Sequence, residues 1–394
     1  MTPKHYFLLD KFNKFSIRSL LVAFEKWFPE LEYKVIKLED LKGKLESGFY
    51  YLSFNSINAQ FYFDLAKDLK KTDKNIKLIA GGPHPSARPE ETEGFFDKIC
   101  VGEGELAIRE IVNDFISGNL EKKIYHSKER VDLNDFSAYP KKRNLFGAIE
   151  IMRGCTFSCN YCQTPQLYSG KIRYKSVDKI AEDVEYGLLH NKTDLRFISP
   201  DSASYYYKNG INLKKIEELL VTMHRILKDR GRIFYGSFPS EINPYFVNED
   251  FVRLIKEFCH NKRVVIGLQS ASKFMLKMMN RPTDISIVEN SIELFLKYKF
   301  TVDVDFIFGL PFENDESIKE TLNWIEKWYK RVRIHSHYFM PLPGSRWENM
   351  EPTTIPDYFE KYIKSLEGKS RLFGQWNTQL NFAKYNLTEV NCGK

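Results

Sequence analysis

Short apolar runs alternate with amphipathic stretches through the first part of the chain. Tyr6–Leu9, Tyr33–Leu38, Phe49–Phe54, Ile76–Ala80 and Lys98–Val101 read as strands. The stretches Ile17–Trp27 and Asn58–Leu69 between them have helical spacing, with Ser16 placed as the N-cap of the first. This pattern predicts an α/β fold, beginning with a Rossmann-like five-stranded parallel sheet over residues 1–120. Ligands of such sheets bind beyond the strand carboxyl ends. There Gly81-Gly82-Pro83 closes the fourth strand, and Gly102-Glu103-Gly104-Glu105 follows the fifth. No GxGxxG turn occurs, which argues against a nicotinamide or flavin dinucleotide.

From about residue 117 to 144 the chain is polar and irregular, and residues 121–144 are assigned to a linker. The alternation then resumes, with strands expected at Ala148–Met152, Leu195–Ser199, Ile233–Gly236, Val264–Leu268, Val302–Phe308 and His335–Phe339. The stretch Val177–His190 places Val177, Ile180, Ala181, Val184 and Leu188 on one helical face behind Ser176 as N-cap. Six strands with helices between them predict a partial (β/α)6 barrel of the TIM type over residues 145–350, with its active site at the strand carboxyl ends. Residues 351–394 are expected to form a C-terminal extension of one helix, Tyr358–Leu366, followed by irregular chain.

A chain of 394 residues that is 43% hydrophobic and 15% aromatic is far from a disordered composition. It has no apolar run of the length, about 18 residues, that a membrane span needs. The N-terminus lacks a signal-peptide pattern, so a cytoplasmic location is expected. The formal charge of +7 is dispersed, as on a solvated surface of mixed charge, and no nucleic-acid partner is expected. Of six cysteines, Cys155, Cys159 and Cys162 crowd together while Cys100, Cys259 and Cys392 stand apart, a distribution that points to metal and not to a disulfide framework.

The crowded segment is a CxxxCxxC directly after a predicted strand. Three thiolates on a tight loop can bind three irons of a [4Fe–4S] cubane and leave the fourth iron open. Such an iron can chelate the amino and carboxylate groups of S-adenosylmethionine (SAM) and cleave it reductively. Structural zinc asks for four ligands, and no further Cys or His lies close by.

With these residues the chain resembles the radical SAM superfamily, in the branch that carries an N-terminal cobalamin-binding domain. The matching elements, spread over roughly residues 5–350, begin with the CxxxCxxC and Tyr161. Ile266-Gly267-Leu268-Gln269-Ser270, Met279-Asn280-Arg281, Asp305 to Pro311 and Pro341-Leu342-Pro343-Gly344-Ser345 follow in family order. The resemblance implies that Tyr161 lies against the SAM adenine and that Glu241, Gln269 and Ser270 line the SAM or substrate pocket. Asp201 stands where related enzymes have a Gly-Gly-Glu, which this chain lacks. Gly81, Gly82, Pro83, His84, Gly102, Glu103 and Gly104 would contact cobalamin. The DxHxxG of methionine synthase is absent, so the resemblance does not imply a cobalt-ligating His.

The implied reaction is methylation of an unactivated carbon through a 5′-deoxyadenosyl radical and methylcobalamin. A protein or peptide substrate and a reductant such as ferredoxin or flavodoxin are expected. Overall the chain looks most like compact archaeal members, including the type that C-methylates a glutamine of methyl-coenzyme M reductase. The alternatives are radical carbon–carbon coupling in archaeal lipid biosynthesis and a non-catalytic cobalamin or iron–sulfur sensor. Methylthiolation of tRNA would require three more N-terminal cysteines, and only Cys100 lies upstream.

Overall fold

The computed structural model describes residues 4–41, 45–119, 121–127, 129–168, 171–381 and 383. The chain folds as two compact units, Met1–Gly147 with Gln166–Ser169, and Ala148–Pro165 with Gly170–Lys394.

In the first unit, β1 (His5–Leu9), β2 (Tyr33–Lys37), β3 (Gly48–Ser53), β4 (Ile76–Gly81), β5 (Lys98–Val101) and β6 (Ile124–His126) form one sheet. The order is 2-1-3-4-5-6, and every pairing is parallel. A parallel sheet is covered on both faces, which is why these strands read as nearly continuous apolar runs. Successive side chains point to opposite faces. Phe7, Tyr51 and Ile79 pack with the helices Lys14–Trp27 and Gly104–Ser117. Tyr6, Leu8, Tyr50, Leu52 and Leu78 pack with the helix Ala59–Thr72.

Two expectations for this unit are corrected. The sheet has six strands and not five, because Ile124–His126 pairs with Ile99–Val101 inside the segment assigned to the linker. Three residues are too short a run to show a period. The first helix starts at Lys14, so Ser16 lies within its first turn and donates its hydroxyl to Asn13 O (3.0 Å) instead of capping. Asn13 is itself engaged, with Oδ1 accepting from Asp10 N (2.8 Å) and Nδ2 donating to Leu8 O (3.0 Å).

The second unit contains β7 (Ile149–Glu150), β8 (Met152–Arg153), β9 (Arg173–Tyr174), β10 (Asp194–Ile198), β11 (Arg232–Phe234), β12 (Arg263–Gln269), β13 (Thr301–Phe308), β14 (Arg333–Tyr338) and β15 (Leu372–Gly374). Parallel sheets β11-β10-β7 and β12-β13-β14-β15 form the partial barrel, and a single parallel bridge, Ile242 to Ile266, extends the second. The expected strand Ala148–Met152 is divided. Its first part pairs with β10, and Met152–Arg153 turns into an antiparallel hairpin with β9. Ser176 caps the helix Val177–Leu189, its side chain accepting from Lys179 N (3.3 Å). Val177, Ile180 and Val184 are buried there, as is Asp183, which pairs with buried Lys175 at 2.8 Å.

The tail is not irregular after its helix Asp357–Gly368. Leu372–Gly374 adds a seventh barrel strand beside β14, and Gln379 Oε1 accepts from Tyr338 N (2.8 Å). Residues 351–394 are therefore built in part into the barrel. Cys392 lies outside the described residues. No described helix is long and apolar enough to cross a membrane.

Candidate active site

Gly154 joins β8 to the cysteine loop at φ +86°, and a Cβ there would lie 2.6 Å from Lys171 O. Only glycine fits that approach. The loop is then pinned from two directions. Asn160 donates N to Met279 O (2.9 Å) and Nδ2 to Met278 O (2.7 Å), while its own carbonyl accepts from Trp347 N (3.0 Å). Asn280 Nδ2 donates to Ser158 O (2.9 Å). The Met279-Asn280-Arg281 turn thus serves as the frame of the cysteine loop.

Cys155, Cys159 and Cys162 line one cavity of about 320 Å³ at the carboxyl ends of the strands, together with Tyr161, Asp201, Glu241, Gln269 and Arg281. Burial pushes the Cys155 thiol up to about 12 and raises that of Cys162 as well. Without a positive partner these sulfurs stay protonated, and a bound metal group would reverse that preference. Among the described residues they do not gather within 4.8 Å of one another, so they are not set to share one ion. The donor set suits a cluster that takes one sulfur at each of three corners.

Arg281 organises the floor. Nη1 donates to Tyr161 OH (2.9 Å) and Nη2 to Gly267 O, and the guanidinium lies near the Cys159 thiol. A Cβ on Gly267 would meet Arg281 Nη2 at 2.6 Å, Gln269 Nε2 at 2.9 Å and Glu241 Oε2 at 3.1 Å. The glycine lets three polar side chains converge at one spot. Gln269 adopts φ +75° at a register shift between β12 and β13. A bulge with a strained non-glycine residue at a strand end is a recurrent device for aiming a side chain into a site.

The remaining expected residues divide sharply. Glu241 is half-buried in the cavity wall, and desolvation there, followed by the neighbouring Asp305 carboxyl, pushes its own carboxyl up to about 8. Asp201 is raised by burial to about 6, but its oxygens serve the fold, accepting from Ala203 N (3.0 Å), Asn243 N (2.9 Å) and the Ser204 hydroxyl. Ser270 lies off the cavity wall. Its hydroxyl sits 3.4 Å from Thr321 Oγ1 and accepts from Ser272 N (3.3 Å), because the chain past the bulge turns toward the covering helix. Asp305, His337 and Gln379 also line the cavity. The alternation His335-x-His337 in an expected strand was the available signal for the histidine. Nothing in the sequence marks Gln379.

In the first unit, Gly82 needs its φ of +99°, since a Cβ would be 2.8 Å from Phe54 O. A Cβ on Gly81 would meet only Cys100 Cβ, at 3.5 Å. Pro83 opens the short helix Pro83–Ala87. His84 is buried, with Nδ1 3.2 Å from Ser56 Oγ and its ring against Phe54 and Phe63. Glu103 is buried and accepts from Val131 N (3.1 Å), and a Cβ on Gly104 would strike Leu20. His84 and Glu103 are thus turned into packing. Gly102, at φ +88°, has open space around it.

The strand order adds what the sequence did not show. In a 2-1-3-4-5 order the ligand crevice opens between β1 and β3. At that edge Phe12 (55% exposed) and Phe61 (56%) stand out in solvent, with Phe15 and Ile57 nearby in the chain. Exposed rings of this kind suit a broad apolar ligand face.

The cysteine trio thus sits on a barrel edge and opens on a cavity. Residues 149–325 match the model of the Radical SAM superfamily. The fold is shared with the methyltransferase TsrM of Kitasatospora setae, a structure with cobalamin and a [4Fe–4S] cluster bound. The TM-score is 0.68 at 12% identity, over 88% of this chain and 77% of that one. The cobalamin-dependent SAM radical enzyme OxsB, with aqua-cobalamin and SAM bound, gives 0.65 at 16% identity, over 93% of this chain and 56% of OxsB. By sequence, an uncharacterised methyltransferase of Pyrococcus horikoshii is 25% identical over 318 residues, 73% of this chain and 65% of the relative. Human threonylcarbamoyladenosine tRNA methylthiotransferase is 24% identical over 323 residues, 78% of this chain and 52% of the relative.

Proposed function

We propose that this protein is a cobalamin-dependent radical SAM enzyme that transfers a methyl group to carbon. The observation that carries the reading is the trio Cys155, Cys159 and Cys162 at the barrel's carboxyl edge, opening on a cavity with converging polar groups. The cysteines would hold a [4Fe–4S] cluster, and the crevice at β1 and β3 would hold the corrin. When bound, the cluster supplies the electron that cleaves SAM and cobalamin supplies the methyl group.

The chain's own residues position and shield. Arg281 fixes Tyr161, and Gly267 makes room for Glu241 and Gln269. Phe157, Ile307, Phe339 and Leu342 on the same wall limit water. The finer reading is C-methylation of a protein or peptide residue, a glutamine of methyl-coenzyme M reductase being the candidate that the sequence resemblance suggests, with ferredoxin or flavodoxin as reductant. Methylthiotransferase relatives offer a second reaction. Upstream of residue 155, however, only Cys100 occurs, and it is buried on β5.

The test is anaerobic reconstitution with iron, sulfide and hydroxocobalamin, followed by turnover with SAM and the candidate peptide. Bound corrin, S-adenosylhomocysteine, 5′-deoxyadenosine and a peptide heavier by one methylene group are expected. Deoxyadenosine without corrin binding would overturn the cobalamin part and leave a radical SAM enzyme of another reaction.

A further inference from the structure

Inside the barrel, β13 and β14 place a second set of metal-type donors. Their register sets Asp305 opposite His335 and Ile307 opposite His337. Residues two apart on a strand share a face, so both imidazoles lie on the side of Asp305. One donor atom from each of the three residues falls within 4.8 Å of the other two. His335 Nδ1 is 2.7 Å from Asp305 Oδ1, and the two imidazole centroids are 4.5 Å apart. We propose that Asp305, His335 and His337 bind one divalent transition-metal ion.

Three further features favour this. First, Glu241 lines the same cavity as Asp305, so a second carboxyl stands beside the proposed ligand set. Arg281 also lines that cavity and donates to Tyr161 OH and Gly267 O. Second, the imidazoles are held in place from behind. Phe373 stacks on His335 with centroids 4.8 Å apart, and Gln379 Nε2 lies 3.5 Å from His337 Nδ1. Gln379 is itself fixed by Tyr338 N, so the amide acts as an outer support of the kind that orients metal-bound histidines. Third, Asp305 lines both the 320 Å³ cavity and a second cavity of about 770 Å³, which His335 also lines, so an ion has room to enter.

Two imidazoles with a carboxylate suit zinc, iron or cobalt better than calcium or magnesium. Open coordination positions would face the cavity, where an oxygen of the substrate could complete the shell. The proposal depends on these side chains and not on the reading of the cysteines.

The test uses the full-length protein with its cluster assembled, so that the thiolates are occupied. Zn²⁺ is the probe, followed by desalting and metal analysis, with iron and sulfide counted separately. About one zinc per chain beyond the cluster iron is expected. The Cys155→Ala/Cys159→Ala/Cys162→Ala protein should lose its iron and keep that zinc. His335→Ala/His337→Ala should lose it, and Gln379→Ala, a milder change, should weaken it about tenfold. Co²⁺ in place of zinc should give visible ligand-field bands that the double variant lacks. If the double variant misfolds by circular dichroism, Asp305→Asn decides, with at least tenfold weaker zinc binding expected. Wild-type protein that retains no zinc, or folded His335 and His337 variants that retain it all, would overturn the proposal.

Discussion

The carboxyl-end edges of the two sheets treat polar groups in opposite ways. In the N-terminal unit the buried polar side chains there serve the fold. His84 is packed by Phe54 and Phe63, Glu103 accepts from Val131 N, and Asn13 is engaged at both ends of its amide. In the barrel, buried Asp305 and Arg281 and half-buried Glu241 and His337 line an open cavity and lean on one another. Burial without full satisfaction is costly, and a fold retains it where a ligand completes the network. The first edge should therefore bind chiefly through exposed apolar surface and backbone approach, and the second through ionic and metal chemistry.

The sharpest way to break this contrast is at the cysteines. Replacing Cys155, Cys159 and Cys162 by Ala should abolish the broad iron–sulfur absorbance and all SAM cleavage, whereas Cys100→Ala should leave both unchanged. Cys100 is a wholly buried thiol on β5, raised by burial and useful as core volume. Full cluster content in the triple variant would remove the functional distinction between the edges.

Next in size is the corrin site. Phe12→Ser with Phe61→Ser should weaken hydroxocobalamin binding about thirtyfold or more, since each ring removed from a contact costs on the order of 1 kcal/mol or more. Thermal stability should change little, because both rings are more than half exposed. Unchanged corrin affinity, measured by equilibrium dialysis, would move the site away from the β1/β3 crevice.

That crevice shows why only part of the site was legible. The cysteine motif and the apolar runs are local signals, and they located the cysteine loop and the predicted strands of both sheets. Strand order is not local. The sequence drew attention to the glycine loops after β4 and β5, whereas the 2-1-3-4-5-6 order makes the β1/β3 edge the switch point. Likewise Asp305 and His335 meet only through the register of two strands, and Gln379 reaches Tyr338 from a tail that shows no period. Ser270 does not line the described cavity, because a bulge at Gln269 changes which way the next side chain faces.

The two units should also respond to pH in opposite senses in cluster-free protein. Burial, aided by Arg88, lowers the His84 imidazole from 6.5 to about 4, with Glu91 facing its other nitrogen at 3.5 Å. Its folded value lies below the unfolded one, so the stability it contributes is present above pH 6.5 and is lost as pH falls toward 4. Glu241 is raised from 4.5 to about 8, so its contribution is present below pH 4.5 and is lost as pH rises to 8. Hydrogen exchange read separately for each unit should show acid loosening the first and alkali loosening the second. His84→Gln should flatten the acid response of the first alone, and Glu241→Gln the alkaline response of the second alone. A shared pH response in both units would contradict the assignment.

The smallest effect tests the glycine loops. Gly82 and Gly102 both have positive φ, but a Cβ on Gly82 would also strike Phe54 and Ser53, while one on Gly102 would meet nothing within 4 Å. Gly102→Ala should cost only the backbone term, about 1 kcal/mol. Gly82→Ala should cost more, because the backbone of β3's following loop must shift as well. If Gly102→Ala nevertheless reduces corrin affinity while leaving the melting temperature within a few degrees, the space beside it is ligand space. The β5 loop then belongs to the same site as Phe12 and Phe61. If affinity is unchanged, Gly102 serves only the turn from strand to helix, and the crevice at β1 and β3 carries the cofactor without it.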